Sequence, residues 1–400
     1  MSITSEGRAL LPDLVALRRT LHAAPEVGLQ LPTTQATVLA ALEGLGLEIS
    51  TGTDTTSVVA VLRGAHEGPT VLLRGDMDAL PVVEQTDLPF ASANGAMHAC
   101  GHDLHTAGLV GAARLLAARR DDLHGSVVFM FQPGEEGYGG AKIMIDEGVL
   151  DASGTRPVAA YGIHVIPGPN GVFSMRPGPA MASSSTLRIR MIGEGGHGSQ
   201  PSSAFDPVPA LTETVSALQS MVTRRFSVFD PVVLTVTQLS AGEAINVIPD
   251  SASLGATVRA LSDRALETLA VETQRIADGI AAAHRCRAEV EFTTIYPVTA
   301  NDAGTTAAAM MTLSDVFGPG RVETMPEPRM GSEDFSFVLH EVPGTFVFLQ
   351  TTPPELDPAT VAYNHSPRVL FDDAVLGDQA AALAALALSH LGASPAARLP

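Results

Sequence analysis

Apolar residues recur at helical spacing at Leu10, Leu14, Leu17 and Leu21, which predicts an opening amphipathic helix. Residues 33–42 predict a second helix that ends near Gly44. The pattern then changes to short β-branched and apolar runs, 57–62 and 70–74, closed by Gly64 and Gly75. Similar runs at 126–131, 158–164 and 345–349 predict further buried strands. Helical segments are predicted at 104–120, 141–147 and 373–390. This alternation implies an α/β fold whose sheet is covered on both faces.

Between 183 and 297 the order becomes strand 187–192, helix 207–225, strands 232–239 and 251–259, helix 263–284 and strand 288–295. That βαββαβ order is the ferredoxin-like split pattern. Gly, Pro and Ser are concentrated in the flanks, 177–185 and 297–304, as at a domain boundary. The expected organisation is one discontinuous domain, 1–182 and 298–400, interrupted by a second, 183–297. A length of 400 residues independently favours two domains.

Composition narrows the partners. The chain carries 24 Lys and Arg against 43 Asp and Glu, a formal charge of −19, which repels nucleic acid and anionic membrane surfaces. Two cysteines, Cys100 and Cys286, exclude a disulfide framework. The N-terminal segment lacks a signal-peptide core, and no apolar run is long enough to span a membrane. A cytoplasmic location is expected.

Chemistry concentrates in a few places. A thiol and three imidazoles, His98, Cys100, His102 and His105, lie within eight positions and are metal-ligand types. Glu135 and Glu136 follow the strand 126–131, where an open α/β sheet builds its site. One such carboxylate can ligate a metal while the other moves a proton; alone, the pair would suit a solvated turn. His164 ends another strand, and Asp76 and Asp78 follow a third. These aspartates suit either a cap or turn, or support of a ligating histidine. In the inserted domain His197 sits in a glycine-rich loop, followed by Asn246 and Arg259. Arg259 suits a substrate carboxylate or a surface ion pair. No G-x-S-x-G, P-loop or H-E-x-x-H pattern occurs, and the glycines of 134–140 do not make G-x-G-x-x-G.

Five ordered blocks resemble the M20 metallopeptidase family, nearest its amidohydrolase group. They are residues 97–106 around Cys100-Gly-His102-Asp-Leu-His105, Gln132-Pro-Gly-Glu135-Glu136, Gly162-Ile-His164-Val165, Met330-Gly-Ser-Glu-Asp-Phe335 and His365-Ser-Pro367. The resemblance extends from about His22 to Asp373. It implies a zinc-peptidase-like catalytic domain with an inserted lid that mediates homodimerisation. It also implies two divalent ions, zinc, manganese, cobalt or nickel, on Cys100, His102, Glu136, His164 and His365. Glu135 would be the general base and Asp78 the aspartate beside the metals, with His197 reaching in from the partner's lid. Asn246 and Arg259 match lid positions expected to hold the substrate's polar end. The implied reaction is hydrolysis of an N-acyl amino acid, hippurate-like or N-acetylated. A dipeptidase or aminopeptidase of the wider family, and a non-catalytic small-molecule binding protein of the same fold, are the competing readings.

Overall fold

The computed structural model describes residues 2–392. It divides into two compact units. The first comprises the chain up to Ala180, Ala300–Glu327, and the residues from Asp334 onward. The second comprises Met181–Thr299 and Pro328–Glu333.

In the first unit an eight-stranded sheet runs in the order Glu48–Thr51, Val58–Arg63, His124–Gln132, His66–Asp76, Pro157–Ile166, Gly344–Gln350, Phe173–Met175, Val322–Thr324. The four central strands are mutually parallel. Three of them are buried along almost their whole length, and His66–Asp76 from Thr70 onward, because these stretches read largely as apolar runs, as strands covered on both faces must. The helices His102–Ala117 and Leu376–Leu391 are buried nearly all round and pack on each other and on Ile3–Ala23. Small residues permit that approach: a Cβ on Gly7 would lie 2.3 Å from the Gly377 carbonyl oxygen. The segment Asp373–Leu391 is apolar enough to cross a membrane, yet 72% of it is buried inside the molecule, as a core helix would be.

Several boundaries differ from the sequence expectation. The strand expected to stop at Gly75 runs through to Asp76, and that expected to end at His164 continues to Ile166. The first extension adds Gly75 and Asp76, held by Phe131 and Gln132 of the neighbouring strand, which local apolarity does not register; the second adds Val165 and Ile166, paired with Leu349 and Gln350. The helix Ala303–Phe317 was not anticipated. Its buried residues Thr306, Ala309 and Leu313 are small or sparse, so its stripe is faint; an Asp302 cap accepting from the Thr305 N–H starts it.

The second unit holds a four-stranded antiparallel sheet in the order Val232–Ala241, Ser251–Ala260, Ser184–Ile192, Arg287–Tyr296. Two helices, Pro207–Arg225 and Asp263–Ala283, pack on it, completing the split βαββαβ arrangement. Along Ser184–Ile192, buried Leu187, Ile189 and Met191 alternate with exposed Arg188 and Arg190. The unit also takes in Pro328–Glu333, which the sequence reading assigned to the first domain. The Ala182 N–H donates to the Arg329 carbonyl at 2.9 Å, so this segment is recruited by backbone pairing. A short ribbon pairs His197 with Val247 and Gly196 with Ile248.

Candidate metal and catalytic site

Parallel strands of the first unit end together, and each end carries a polar residue. Asp76 closes His66–Asp76 and Gln132 closes His124–Gln132, while His164 lies near the end of Pro157–Ile166. After Gln132 the chain turns through Gly134 at φ 71° and presents Glu135 and Glu136. The carboxylate of Asp78 holds this turn: its two oxygens accept from the Glu135 and Glu136 N–H groups, each at 3.0 Å. Asp78 is fully buried.

The same residue orients His102. The His102 Nδ1–H donates to the Asp78 carbonyl at 2.9 Å, which leaves Nε2 with its lone pair. That Nε2 is buried and makes no hydrogen bond among the described residues. His102 opens the helix His102–Ala117 directly after Gly101, whose φ of 84° turns the chain sharply between Cys100 and His102.

His164 donates from Nδ1 to the Val165 carbonyl at 2.8 Å and directs Nε2 to 3.4 Å from Cys100 Sγ. His365 has the left-handed φ of 71° rare for a non-glycine residue. Its N–H donates to the Ala99 carbonyl, and its Nε2 lies 3.1 Å from Glu136 Oε1.

Ligand-type atoms therefore converge in three overlapping groups, each with its atoms within 4.8 Å of one another: Cys100, His102 and His164; Cys100, Glu136 and His365; His102, Glu135 and Glu136. Cys100 is shared by the first two, the pattern expected if one thiolate serves two adjacent cation positions. Thiolate, imidazole and carboxylate donors suit borderline divalent ions, and the unpartnered buried His102 Nε2 is a donor in want of an acceptor, so the residues fit a metal centre.

The electrostatics agree. Burial alone would depress His102, but Asp76, Asp78 and Cys100 hold it well above the usual histidine range. Hydrogen bonding to Cys100 and then Glu136 pushes His365 up to about 10. Burial would raise Glu136, and His365 and His102 keep it below its ordinary value. Burial, then His105, keeps His164 well below. The added proton favoured on His102 and His365 occupies a position that a divalent cation would take over.

Around the cluster lies a buried polar frame. Arg74 pairs with Asp76 at 2.6 Å and donates to Gln132 Oε1 at 2.9 Å. Gln132 Nε2 donates to both oxygens of Asp334, at 2.7 and 2.9 Å, and Asp334 also accepts from the Ala141 N–H. These supporting contacts went unassigned from sequence, although Arg74, Gln132 and Asp334 each lie inside or beside a quoted motif. Asn364, whose Nδ2 donates to the carbonyls of Cys100 and Val165, carried no signal beyond standing next to His365.

His197, Asn246 and Arg259 belong to the second unit. His197 is exposed, and its Nδ1 accepts from the Ser199 N–H at 3.1 Å, which leaves Nε2–H as an outward donor. Asn246 is exposed beside it, its carbonyl accepting from the Gly198 N–H at 2.8 Å. Arg259 is half-buried and spends Nη1 on Ser184 Oγ at 2.7 Å.

Many known proteins resemble this chain. The carboxypeptidase "Thermostable carboxypeptidase 1" of Saccharolobus solfataricus is 38% identical, over 96% of this chain and 97% of its own length. The N-acetylcysteine deacetylase of Bacillus subtilis is 38% identical over 86% of this chain and 90% of its own. A solved Bacillus subtilis structure, described as a dinuclear metal binding peptidase from the M20 family, superposes with a TM-score of 0.81 at 34% identity, covering 95% of this chain and 98% of that one. The model of peptidase family M20/M25/M40 matches residues 72–389, and with the fold and the donor cluster described above, the chain belongs to that family.

Proposed function

We propose that the protein is a dinuclear-metal amidohydrolase that cleaves N-acyl amino acids to a carboxylic acid and a free amino acid. The observation that carries this reading is the convergence of buried Cys100, His102 and His164 with half-buried Glu136 and exposed His365, next to a second carboxylate, Glu135. Zinc is the favoured ion for such donors, with manganese, cobalt and nickel also suited. Two divalent ions in such a centre supply Lewis acidity toward the amide carbonyl and a lowered pKa for water.

The chain's own residues do the rest. Glu135, held by Asp78 through its N–H, accepts the proton of the attacking water and returns it to the leaving nitrogen. His197 Nε2–H donates to the oxygen of the scissile carbonyl as negative charge develops there. It is supplied by the partner subunit of a homodimer formed through the second unit, which acts as the lid. Asn246 and Arg259 hold the substrate's polar end. The free Cys100 and Cys286 suit a reducing, cytoplasmic setting.

The test is free-amine release from N-acetyl, N-benzoyl and longer N-acyl amino acids, with dipeptides alongside, for metal-loaded and chelated protein. Chelator-sensitive release from the acyl amino acids is expected, with Glu135→Gln retaining metal while losing most turnover. Release from dipeptides alone would transfer the assignment to a peptidase, the activity in the name of one relative. Metal-loaded protein that binds acyl amino acids without releasing product would be a binding protein.

A further inference from the structure

His105 lies within 4.8 Å of Asp76 and His102 in a group that itself resembles a metal site. Its hydrogen bonds assign it differently. The His105 Nδ1–H donates to Asp76 Oδ1 at 2.5 Å, and its Nε2 accepts from the Val165 N–H at 2.8 Å. With one nitrogen donating and the other accepting, no lone pair remains for a cation.

The position of this bridge follows from the sheet. His66–Asp76 and Pro157–Ile166 run parallel, and their last paired residues are Arg74 and Gly162. Beyond that pair the two strands no longer bond to each other, and the His105 ring joins the end of one, Asp76, to the backbone of the other, Val165. The opposite end of the Val165 residue is held as well. Its carbonyl accepts from His164 Nδ1 at 2.8 Å and from Asn364 Nδ2 at 3.2 Å. Asn364 Nδ2 also lies 3.3 Å from the Cys100 carbonyl and 3.6 Å from Cys100 Sγ.

We infer that Val165 is the device that aims His164, and that His105, from the N–H side, and Asn364, from the carbonyl side, are positioning residues acting through it. The carbonyl takes the Nδ1–H of His164 and so fixes both tautomer and ring direction, leaving Nε2 pointed at Cys100 Sγ. If the backbone at Val165 shifts, the hydrogen bond that orients the His164 ring shifts with it. His105 thus acts at one remove from the donor cluster, although its spacing from His102 gives it the look of a ligand. The inference rests on reading the cluster as a metal centre.

The experiment is a cobalt(II) titration of the full-length protein, followed by the thiolate-to-cobalt charge-transfer absorption and the ligand-field bands, for wild type, His105→Phe, His105→Gln and Asn364→Ala. Phenylalanine keeps the ring and removes both hydrogen bonds. Glutamine can donate to Asp76 and accept from Val165. The expected result is a loss of about 10- to 100-fold in affinity for one of the two ions in His105→Phe and Asn364→Ala, with altered ligand-field bands. The other ion should keep its wild-type affinity, and His105→Gln should recover most of the loss. Wild-type binding of both ions by folded His105→Phe would overturn the inference alone, as would equal weakening of both ions. Should His105→Phe not fold, Asn364→Ala carries the test, and wild-type spectra and affinities in that variant would overturn the inference. A wild type that binds no cobalt would overturn the metal reading and this inference together.

Discussion

Gly101 shows how much of the centre depends on a residue with no side chain. Its φ is 84°, and a Cβ there would stand 2.2 Å from Val165 Cγ2, so both conformation and space require glycine. Because Gly101 separates Cys100 from His102, any relaxation displaces two donors at once. Gly101→Ala is expected to lose stability by about 1–3 kcal/mol from backbone strain, plus the cost of the clash. It should also bind metal more weakly than wild type at a temperature where it remains folded. Urea unfolding with metal titration checks this, and unchanged affinity in the folded variant would contradict it. At this scale the sequence was readable where donors are neighbours or end a strand: Cys100 with His102, and Glu135 with Glu136. Residue type and spacing alone did not tell which histidine is a donor and which a strut, and the family resemblance, which named His102, His164 and His365, gave His105 no role. That distinction lies in the partners of each ring nitrogen: Asp78 and Asp76, 24 and 29 positions before His102 and His105, and the Val165 backbone beside His164.

Between elements, the helices Ile3–Ala23 and His102–Ala117 share a buried polar contact that the apolar stripe of the first helix does not announce. Arg18 is almost wholly buried, and its Nε lies 2.7 Å from Asp103 Oδ2. His22 Nδ1–H donates to the same oxygen at 2.7 Å, and His22 Nε2 lies 3.2 Å from Glu84 Oε1. The guanidinium stacks over the Phe90 ring, 4.9 Å from its centroid. Burial alone would depress His22, but the Asp103 carboxylate, aided by Glu84, outweighs it and holds His22 above its usual value. A histidine raised in the folded state contributes stability that is fully present below its unfolded pKa, about 6.5, and is lost as pH rises through the folded value. The stability difference between wild type and His22→Gln should therefore be larger near pH 6 than near pH 9 in urea titrations. A difference independent of pH would mean that His22 titrates alike in the folded and unfolded chain. The central strands and the longer helices of both units were mostly legible because strong apolar runs dominate them, whereas the short strands Glu48–Thr51, Phe173–Met175 and Val322–Thr324 were not expected. The helix Ala303–Phe317 was not, since small alanines and threonines bury without making a stripe.

For the whole molecule the open question is how many chains make one active centre. In the second unit, Val232–Ala241 is an outer strand with a sheet partner on one side only among the described residues, and Val233 and Leu239 on it are exposed. Val228 and Phe229, just before it, are exposed as well. An uncovered edge flanked by apolar residues is a surface that proteins ordinarily protect, and a second copy would protect it while closing a two-fold assembly. His197 is exposed and its Nδ1 is satisfied by Ser199, which leaves the Nε2–H free to donate to a group outside its own loop. If it serves the partner's centre, two inactive proteins should rescue each other. Glu135→Gln retains a sound His197, and His197→Ala retains a sound Glu135. After dissociation and reassociation of an equal mixture, half of the dimers are mixed, and each mixed dimer holds one centre with both residues intact. About a quarter of the wild-type centres should then become active. The added substitutions Val233→Lys and Leu239→Lys should yield monomers by sedimentation and abolish the rescue. Rescue that fails although mixed dimers form would show that each chain supplies its own His197.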